Sequence, residues 1–249
     1  GSRRYRPKNL IWVIPAEGIR VNNETHTQNN TALIFAGGNA PLPHLSKFLP
    51  QSQWRIAADS GLDHALALGV TPDVVVGDSD SVSNEALALA HSLDIEFISA
   101  PTDKDFTDTE LALSHAVHLG AQKIVVISAG GGRFDHAHGL LASLFHPEWA
   151  HIHIEAFIDT AHVFALHGPS SLHIEGKQNS LVALHAMNGI AHGISTEGLR
   201  WQLRNESLAP WVSRGVSNEL TGTSGDISLQ SGALLVVQPE ALTQRSQEG

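Results

Sequence analysis

The chain has 249 residues, enough for one large domain or two modest ones, and its 42% apolar content supports a packed core. It contains no cysteine, which excludes a disulfide scaffold, a zinc ribbon, a cysteine nucleophile and thiol redox chemistry. The formal net charge is −10, without a Lys/Arg-rich run and without an apolar stretch approaching the ~18 residues of a membrane span. We therefore expect a cytoplasmic protein that binds neither nucleic acid nor membrane.

Residues 1–30 form a predicted N-terminal extension. Residues 10–14 are apolar enough for one strand, and residues 22–30 are polar, as is typical of a linker. Residues 3–8 are basic but lack the apolar core of a cleavable signal peptide.

Between residues 31 and 148, short β-rich runs alternate with helical stretches. The runs cover residues 32–36, 54–58, 73–77, 95–98 and 123–128. Ser60 is a predicted helix cap, and Thr107 with Glu110 has the spacing of a capping box before a helix that ends at Gly120. This alternation predicts an α/β domain whose mostly parallel sheet is covered by helices on both faces.

After Pro147 the pattern changes to short runs separated by Gly, Asn and Ser. The runs cover residues 151–157, 162–166, 171–174, 180–184, 199–203 and 233–237. A spacing of about 8–12 residues is typical of an antiparallel sandwich or barrel. We predict an all-β domain over residues 151–240, followed by a tail over residues 241–249.

The carboxylates are concentrated in one region. Twelve of the 25 lie between Asp59 and Glu110, where Lys104 is the one basic residue. They could form a solvated acidic face, or folding could bring several together around a cation. Asp78 and Asp80 follow one predicted strand, and Asp105 and Asp108 follow the next at a helix start. Since carboxyl ends of parallel strands share one edge, these two pairs favour a site for Mg²⁺, which prefers oxygen ligands.

Glycine-rich loops follow two other predicted strands. Gly130, Gly131 and Gly132 come directly before Arg133, and Gly37 and Gly38 follow the first strand. Such glycines let backbone N–H groups approach phosphate oxygens, and a guanidinium group matches phosphate geometry.

Other chemistries receive less support from the sequence. The chain contains no Gly-x-x-x-x-Gly-Lys-Ser/Thr and no Gly-x-Ser-x-Gly motif, which argues against a P-loop ATPase and a serine hydrolase. Its 16 histidines are scattered without a His-Glu-x-x-His motif, and of these only His136 lies beside the candidate phosphate loop. The pattern therefore favours phosphoryl or nucleotidyl transfer.

Six motifs stand in the order and spacing of thiamin pyrophosphokinase, and the chain resembles that family over roughly residues 31–240. They are Ala58-Asp-Ser-Gly61, Pro72-Asp-Val-Val-Val-Gly-Asp-Ser-Asp-Ser81, Lys104-Asp-Phe-Thr-Asp-Thr-Glu110, Gly131-Gly-Arg-Phe-Asp-His136, Gly198-Leu-Arg-Trp-Gln-Leu203 and Gly215-Val-Ser-Asn-Glu219. Three positions depart from the family pattern: Ser60 replaces Gly, Ser79 replaces an aromatic residue, and Gly139 replaces Asn. None of these changes removes a carboxylate or Arg133.

The resemblance implies transfer of diphosphate from ATP to the hydroxyl of thiamin, giving thiamin diphosphate and AMP, with Mg²⁺ as cofactor. The implied catalytic residues are Asp59, Asp78, Asp80, Asp105, Asp108, Arg133 and Asp135, of which Asp78, Asp80 and Asp108 would hold the metal. The implied phosphate-binding residues are Gly37, Gly38, Lys104, Gly130, Gly131, Gly132, Arg133 and His136. Trp201, Ser217 and Asn218 would bind thiamin, and the family pattern implies a homodimer with each thiamin site near the subunit interface.

Several alternatives stay open at this stage. The acceptor could be another alcohol such as a hydroxymethylpterin, the chain could be a non-catalytic nucleotide- or thiamin-binding module, or it could hydrolyse phosphate esters with a metal. Trp201 could pack in the core, and Ser217 with Asn218 could form a plain turn.

Overall fold

The computed structural model describes residues 30–99, 106–130 and 133–246. Its first part alternates strands and helices. The elements are β1 (Thr31–Phe35), β2 (Trp54–Ala58), α1 (Gly61–Ala67), β3 (Val74–Val76), α2 (Asn84–Ser92), β4 (Glu96–Ile98), α3 (Asp108–His118), β5 (Lys123–Ser128), α4 (Phe134–Ser143) and β6 (His153–Ile158), with short 3-10 helices at Pro43–Lys47 and Pro147–Trp149.

These six strands form a parallel sheet in the order β4-β3-β2-β1-β5-β6. Alternate residues of β1 face opposite layers, as the two-residue period of a strand requires. Ala32 and Ile34 pack with buried residues of α3, whereas Leu33 and Phe35 pack with Ala65 of α1. Helices therefore cover both faces, as the apolar strands predict.

The second part consists of antiparallel strands. Its elements are β7 (Ala161–His167), β8 (Ser170–Glu175), β9 (Leu181–Glu197), β10 (Glu206–Leu208), β11 (Asn218–Glu219), β12 (Ser224–Leu229), β13 (Ser231–Gln238) and the short helix α5 (Ala241–Ser246). The strand order continues from β6 as β7-β13-β9-β12-β8, and β10 and β11 pair with β9. A separate cluster of buried Leu, Ile and Val side chains fills this part. The predicted fold class, an α/β part followed by a β-rich part, is confirmed.

Two runs differ from the predicted pattern. The sequence pattern places the run at residues 151–157 among the antiparallel strands. β6 does pair antiparallel with β7, but it also pairs in parallel with β5, because α4 and the 3-10 helix return the chain over the sheet. The run at residues 199–203 is no strand. Its backbone instead turns back, with Leu203 N–H donating to Thr196 Oγ1 (2.9 Å) and Trp201 N–H to Asn218 Oδ1 (3.0 Å).

The predicted domain boundaries stay a prediction. β6 pairs with both β5 and β7, so the two parts of the chain share one continuous sheet. Among the described helices, none combines the length and the apolar character that crossing a bilayer requires.

Candidate active site

The strand order reverses direction beside β1. Strands β2, β3 and β4 lie on one side of β1, and β5 and β6 lie on the other. In open parallel sheets ligands bind outside the carboxyl ends of the strands at such a point. Gly37 and Gly38 follow β1, and Gly130 follows β5. A Cβ atom built on Gly38 would lie 3.9 Å from the carbonyl oxygen of Gly130. The two predicted phosphate loops therefore lie side by side.

Two of the predicted catalytic carboxylates meet at Gly77, directly after β3. A Cβ atom built on Gly77 would lie 2.9 Å from Asp108 Oδ1 and 3.5 Å from Asp59 Cβ. Gly77 also has a φ of +133°, which favours glycine. The missing side chain at Gly77 thus leaves the space into which Asp108, the first residue of α3, projects beside Asp59.

Asp59 itself is held in an unusual conformation. It has a φ of +50°, and its N–H donates to the Val76 carbonyl at 3.0 Å. Asp59 Oδ2 accepts a hydrogen bond from the Ser81 hydroxyl, whereas Oδ1 is buried and has no hydrogen-bond partner among the described residues. A buried, unpartnered carboxylate oxygen costs free energy unless a cation or donor approaches it. This atom is therefore a buried acceptor, near the carboxyl edge of the sheet, whose hydrogen-bonding capacity the described residues do not satisfy.

Asp78 and Asp80 are exposed in the loop after β3. The Asp80 N–H donates to Asp78 Oδ1 at 3.2 Å, and Ser79 between them has a φ of +63°. Within the described ranges no three Asp, Glu or His side chains are already arranged around one point as metal ligands. The carboxylate oxygens nevertheless fit a hard cation, since Asp59 Oδ1 has no hydrogen bond within the part of the chain that the structure describes and Asp108 projects over Gly77.

Arg133 and Asp135 form a bidentate ion pair at the start of α4. Arg133 Nε lies 3.1 Å from Asp135 Oδ1, and Arg133 Nη2 lies 2.5 Å from Asp135 Oδ2. This hydrogen bond lowers the pKa of Asp135 and raises the pKa of Arg133. Both side chains are largely exposed, as is His136, so the guanidinium group is accessible to an anionic ligand.

Four predicted site residues lie outside the described residues. They are Lys104, Asp105, Gly131 and Gly132. Their predicted roles stay predictions.

The residues predicted to bind thiamin lie at the same edge of the sheet. β7 begins at Ala161, opposite Ile158 at the end of β6, so the start of β7 lies at the carboxyl edge. Since β13 is antiparallel to β7 and β9 to β13, the end of β13 and the start of β9 lie there too. Asn218 pairs with Val182 at the start of β9, which places Asn218 and its neighbour Trp201 at this edge.

Asn218 supports the Trp201 segment through its side chain. Oδ1 accepts from Trp201 N–H at 3.0 Å, and Nδ2 donates to the Trp201 carbonyl at 2.8 Å. Asn218 is 6% exposed, whereas Trp201 is 55% exposed with the Arg200 guanidinium 4.9 Å from its ring centre. Core packing of Trp201 is therefore excluded, and the amide of Asn218 acts on the tryptophan backbone. Ser217 is exposed with a φ of +59°.

Comparison with known proteins agrees with this arrangement. A family model described as thiamin pyrophosphokinase, catalytic domain, matches residues 45–157, and one described as thiamin pyrophosphokinase, vitamin B1 binding domain, matches residues 170–234. The chain belongs to the thiamin pyrophosphokinase family. The first match contains the carboxylates and Arg133, and the second contains Trp201 and Asn218.

Some members of the thiamin pyrophosphokinase family share about a quarter of their residues with this chain. Thiamine pyrophosphokinase of Bacillus subtilis is 26% identical over 210 residues, covering 84% of this chain and 98% of the relative, and thiamine pyrophosphokinase 1 of Oryza sativa subsp. japonica is 28% identical over 196 residues, covering 69% and 74%. The crystal structure of the Bacillus subtilis protein superposes with a TM-score of 0.74 at 23% identity over 84% of this chain and 98% of that one. The structure of thiamin pyrophosphokinase from Geobacillus thermodenitrificans superposes with a TM-score of 0.69 at 26% identity, covering 84% and 96%.

Two serines support the site without being recognisable as site residues in the sequence. Ser81 donates to Asp59, and Ser83 donates to Asp63 of α1. Ser81 lies inside a recognised motif, but a serine beside two aspartates is a common turn residue. Its partner, Asp59, lies 22 residues earlier in the chain and can be identified only from the folded structure.

Proposed function

We propose that the protein is a thiamin diphosphokinase that transfers diphosphate from ATP to the hydroxyl of thiamin, producing thiamin diphosphate and AMP. The observation that supports this most is the meeting of Asp59 and Asp108 at Gly77 in a member of the thiamin pyrophosphokinase family. An acidic edge of this kind suits both a cation-bound triphosphate and a cationic thiazolium ring.

Asp78, Asp80 and Asp108 are the proposed ligands of Mg²⁺, with Asp59 Oδ1 as a further nearby oxygen acceptor. Bound Mg²⁺ would neutralise negative charge on the triphosphate. The Arg133 guanidinium and the backbone around Gly130 would hold the transferring phosphates. The thiamin hydroxyl would approach in line, so that its oxygen bonds to the β-phosphorus and releases its proton to solvent. The bond from the β-phosphorus to the α,β-bridging oxygen would break, and AMP would leave with that oxygen.

The exposed Trp201 ring is the proposed contact for thiamin. A cationic thiazolium over an indole face gains a cation–π interaction, in the way that Arg200 already lies over this ring. Asn218 would act by fixing the Trp201 backbone, and Ser217 would add an accessible hydroxyl.

The family pattern also leads us to propose a homodimer whose interface lies near the thiamin site. The exposed apolar side chains of this region fit such an interface, since aromatic residues are enriched there. They are Leu181, Trp201, Trp211, Val212 and Val216. If both chains build each site, sedimentation should show a dimer that thiamin stabilises by mass action. A fully active monomer would refute the shared site without affecting the chemistry.

One assay tests the proposed activity. The protein is incubated with ATP, Mg²⁺ and thiamin, and AMP and thiamin diphosphate are quantified. Equal amounts of both products are expected. Phosphate release that does not require thiamin would indicate a phosphohydrolase, and product only with another alcohol such as a hydroxymethylpterin would indicate a related diphosphokinase. Binding without any product would indicate a non-catalytic module.

A further inference from the structure

The loop from Gly77 to Ser83, here named the acidic loop, carries Asp78 and Asp80 from β3 to α2. Its first residue is fixed to the sheet, since Gly77 N–H donates to the Ile98 carbonyl at 3.1 Å. Asp78 and Asp80 are exposed, and the Asp80 N–H bonds within the loop to Asp78. Their positions therefore depend on how the far end of the loop is held.

The far end is held by the buried side chain of Val82, which packs against Leu62 and Ala86, and by hydrogen bonds to Asp63, a residue outside the predicted site. Ser83 N–H donates to Asp63 Oδ2 at 3.1 Å, and the Ser83 hydroxyl donates to Asp63 Oδ1. Ser83 is also the N-cap of α2, its hydroxyl oxygen accepting from Ala86 N–H at 3.1 Å. The Asp63 carboxylate on α1 thus accepts hydrogen bonds from both the N–H and the hydroxyl of Ser83, the residue that caps α2. Hydrogen bonds to an ionised acceptor are stronger than neutral ones.

A parallel contact lies two residues earlier. The Ser81 hydroxyl donates to Asp59 Oδ2, so two carboxylates four residues apart bind two serines two residues apart. Asp59 faces the predicted catalytic edge, whereas Asp63 lies in the first turn of α1 and is half-buried against Ser83. The acidic loop is therefore attached to the segment 59–63 directly after Asp80.

We infer that Asp63 is a positioning residue that sets the place of Asp80, and with it the cation affinity of the site, by anchoring Ser83. This inference rests on the proposed function, in which Asp78 and Asp80 hold Mg²⁺. Without the anchor, Ser83 can turn to water and the acidic loop can shift. A displacement of about 1 Å in a catalytic group costs on the order of 10²-fold in rate.

The test compares Asp63→Ala, Asp63→Asn and Ser83→Ala with the parent protein. Mn²⁺ binding is measured by electron paramagnetic resonance in the presence of a non-hydrolysable ATP analogue, and the Mg²⁺ dependence of turnover is measured alongside. Asp63→Ala is expected to weaken Mn²⁺ binding on the order of tenfold and to raise the Mg²⁺ concentration for half-maximal turnover similarly, with the KM for thiamin little changed. Asp63→Asn keeps one acceptor for Ser83 and should recover part of the affinity.

Asp73→Asn is the matched control. Asp73 is also paired, with Arg55 at 2.5 Å, but it precedes β3 at the opposite edge of the sheet. Loss of the Asp73 charge should leave Mn²⁺ affinity unchanged. This control distinguishes a specific effect on the metal site from a general loss of stability. If Asp63→Ala does not fold, Asp63→Asn and Ser83→Ala decide the question.

Parent-like Mn²⁺ affinity and Mg²⁺ dependence in Asp63→Asn and Ser83→Ala would overturn the role of Asp63. A parent protein that makes no thiamin diphosphate would instead overturn the proposed function. The Mn²⁺ titration reports on the anchor in either case.

Discussion

Asp108 connects the end of strand β3 with the start of helix α3. Its carboxylate projects over Gly77 beside Asp59, and it is the first residue of α3. Asp108→Asn keeps the shape but removes the charge, as does Asp80→Asn. Each change should reduce turnover by about 10²-fold or more, the cost of losing one preorganised electrostatic group. Kinetics over a Mg²⁺ titration with both substrates saturating would measure the loss.

Asp94→Asn is the control for both variants. Asp94 is an exposed carboxylate just after α2 with a φ of +53°, a conformation that asparagine also tolerates. Its turnover should match the parent. Parent-like turnover in both Asp80→Asn and Asp108→Asn would remove these residues from the metal site.

Arg133 offers a second prediction, because the chain contains a geometrically matched arginine. Arg55 binds Asp73 through Nε at 3.1 Å and a terminal nitrogen at 2.5 Å, the same distances that Arg133 has to Asp135. Arg133→Lys keeps the charge but loses the planar pair of donors that fits phosphate, so kcat should fall by about tenfold or more. Arg55→Lys, at the opposite edge, should leave kcat unchanged. Full activity of Arg133→Lys would show that only the positive charge of Arg133 matters, not its planar pair of donors.

Asn218 leads to a prediction about thiamin binding. Asn218→Ala leaves the Trp201 N–H and carbonyl without their partner, which should cost about 1–3 kcal/mol of unfolding free energy. The displaced tryptophan should raise the KM for thiamin far more than the KM for ATP. Steady-state kinetics of Asn218→Ala, Trp201→Ala and the double variant test this. If Asn218 acts through Trp201, the double variant resembles Trp201→Ala. An equal rise in both KM values would contradict the assignment.

At the scale of elements, β3 and α3 meet at Gly77, where a side chain would collide with Asp108. Gly77→Ala places a Cβ atom 2.9 Å from Asp108 Oδ1 at a φ of +133°. Gly120 provides the control, since it has a φ of +90° and a Cβ atom there would meet nothing within 4 Å. Both alanine variants should lose about 1 kcal/mol or more from backbone strain, measured by urea denaturation. Only Gly77→Ala should also lose turnover, and similar turnover in the two variants would contradict this role.

The elements also show what the sequence could predict. The capping box at Thr107 and Glu110 is present, with Glu110 N–H donating to Thr107 Oγ1 at 3.2 Å, because its signal is local. Strands β2 and β5 have the predicted bounds for the same reason. The parallel pairing of β6 and the bond from Ser83 to Asp63 were not predictable, since each joins segments distant in sequence. The location of Asp78, Asp80 and Asp108 at the carboxyl edge of the sheet was predictable from the order of the elements, but their individual contacts were not.

At the scale of the whole molecule, the two parts join where β5, β6 and β7 lie side by side, and Glu155 is buried at this junction. Glu155 is 6% exposed and lies 2.6 Å from Lys123 Nζ on β5 and 3.1 Å from His162 Nε2 on β7. Burial alone would raise the pKa of Glu155, but the neighbouring His153, His162 and Lys123 side chains outweigh it and hold the pKa well below its usual value. The ionised carboxylate thus links three strands.

Glu155→Gln should therefore destabilise the protein in a pH-dependent way. Because the folded-state pKa is lowered, the contribution of Glu155 is fully present above its unfolded-state pKa of about 4.3 and declines as the pH falls below it. Near pH 7 the variant should lose about 1.5–3 kcal/mol, the range for hydrogen bonds to a charged group, because Lys123 is 37% exposed and can be solvated once the carboxylate is removed. Below pH 4.3 the difference from the parent should shrink by about 1.4 kcal/mol per pH unit. Urea denaturation between pH 3 and pH 8 measures this, with Asp226→Asn, which breaks an exposed pair with His173, as a nearly neutral control. A difference that stays constant over this range would show that Glu155 contributes through packing rather than charge.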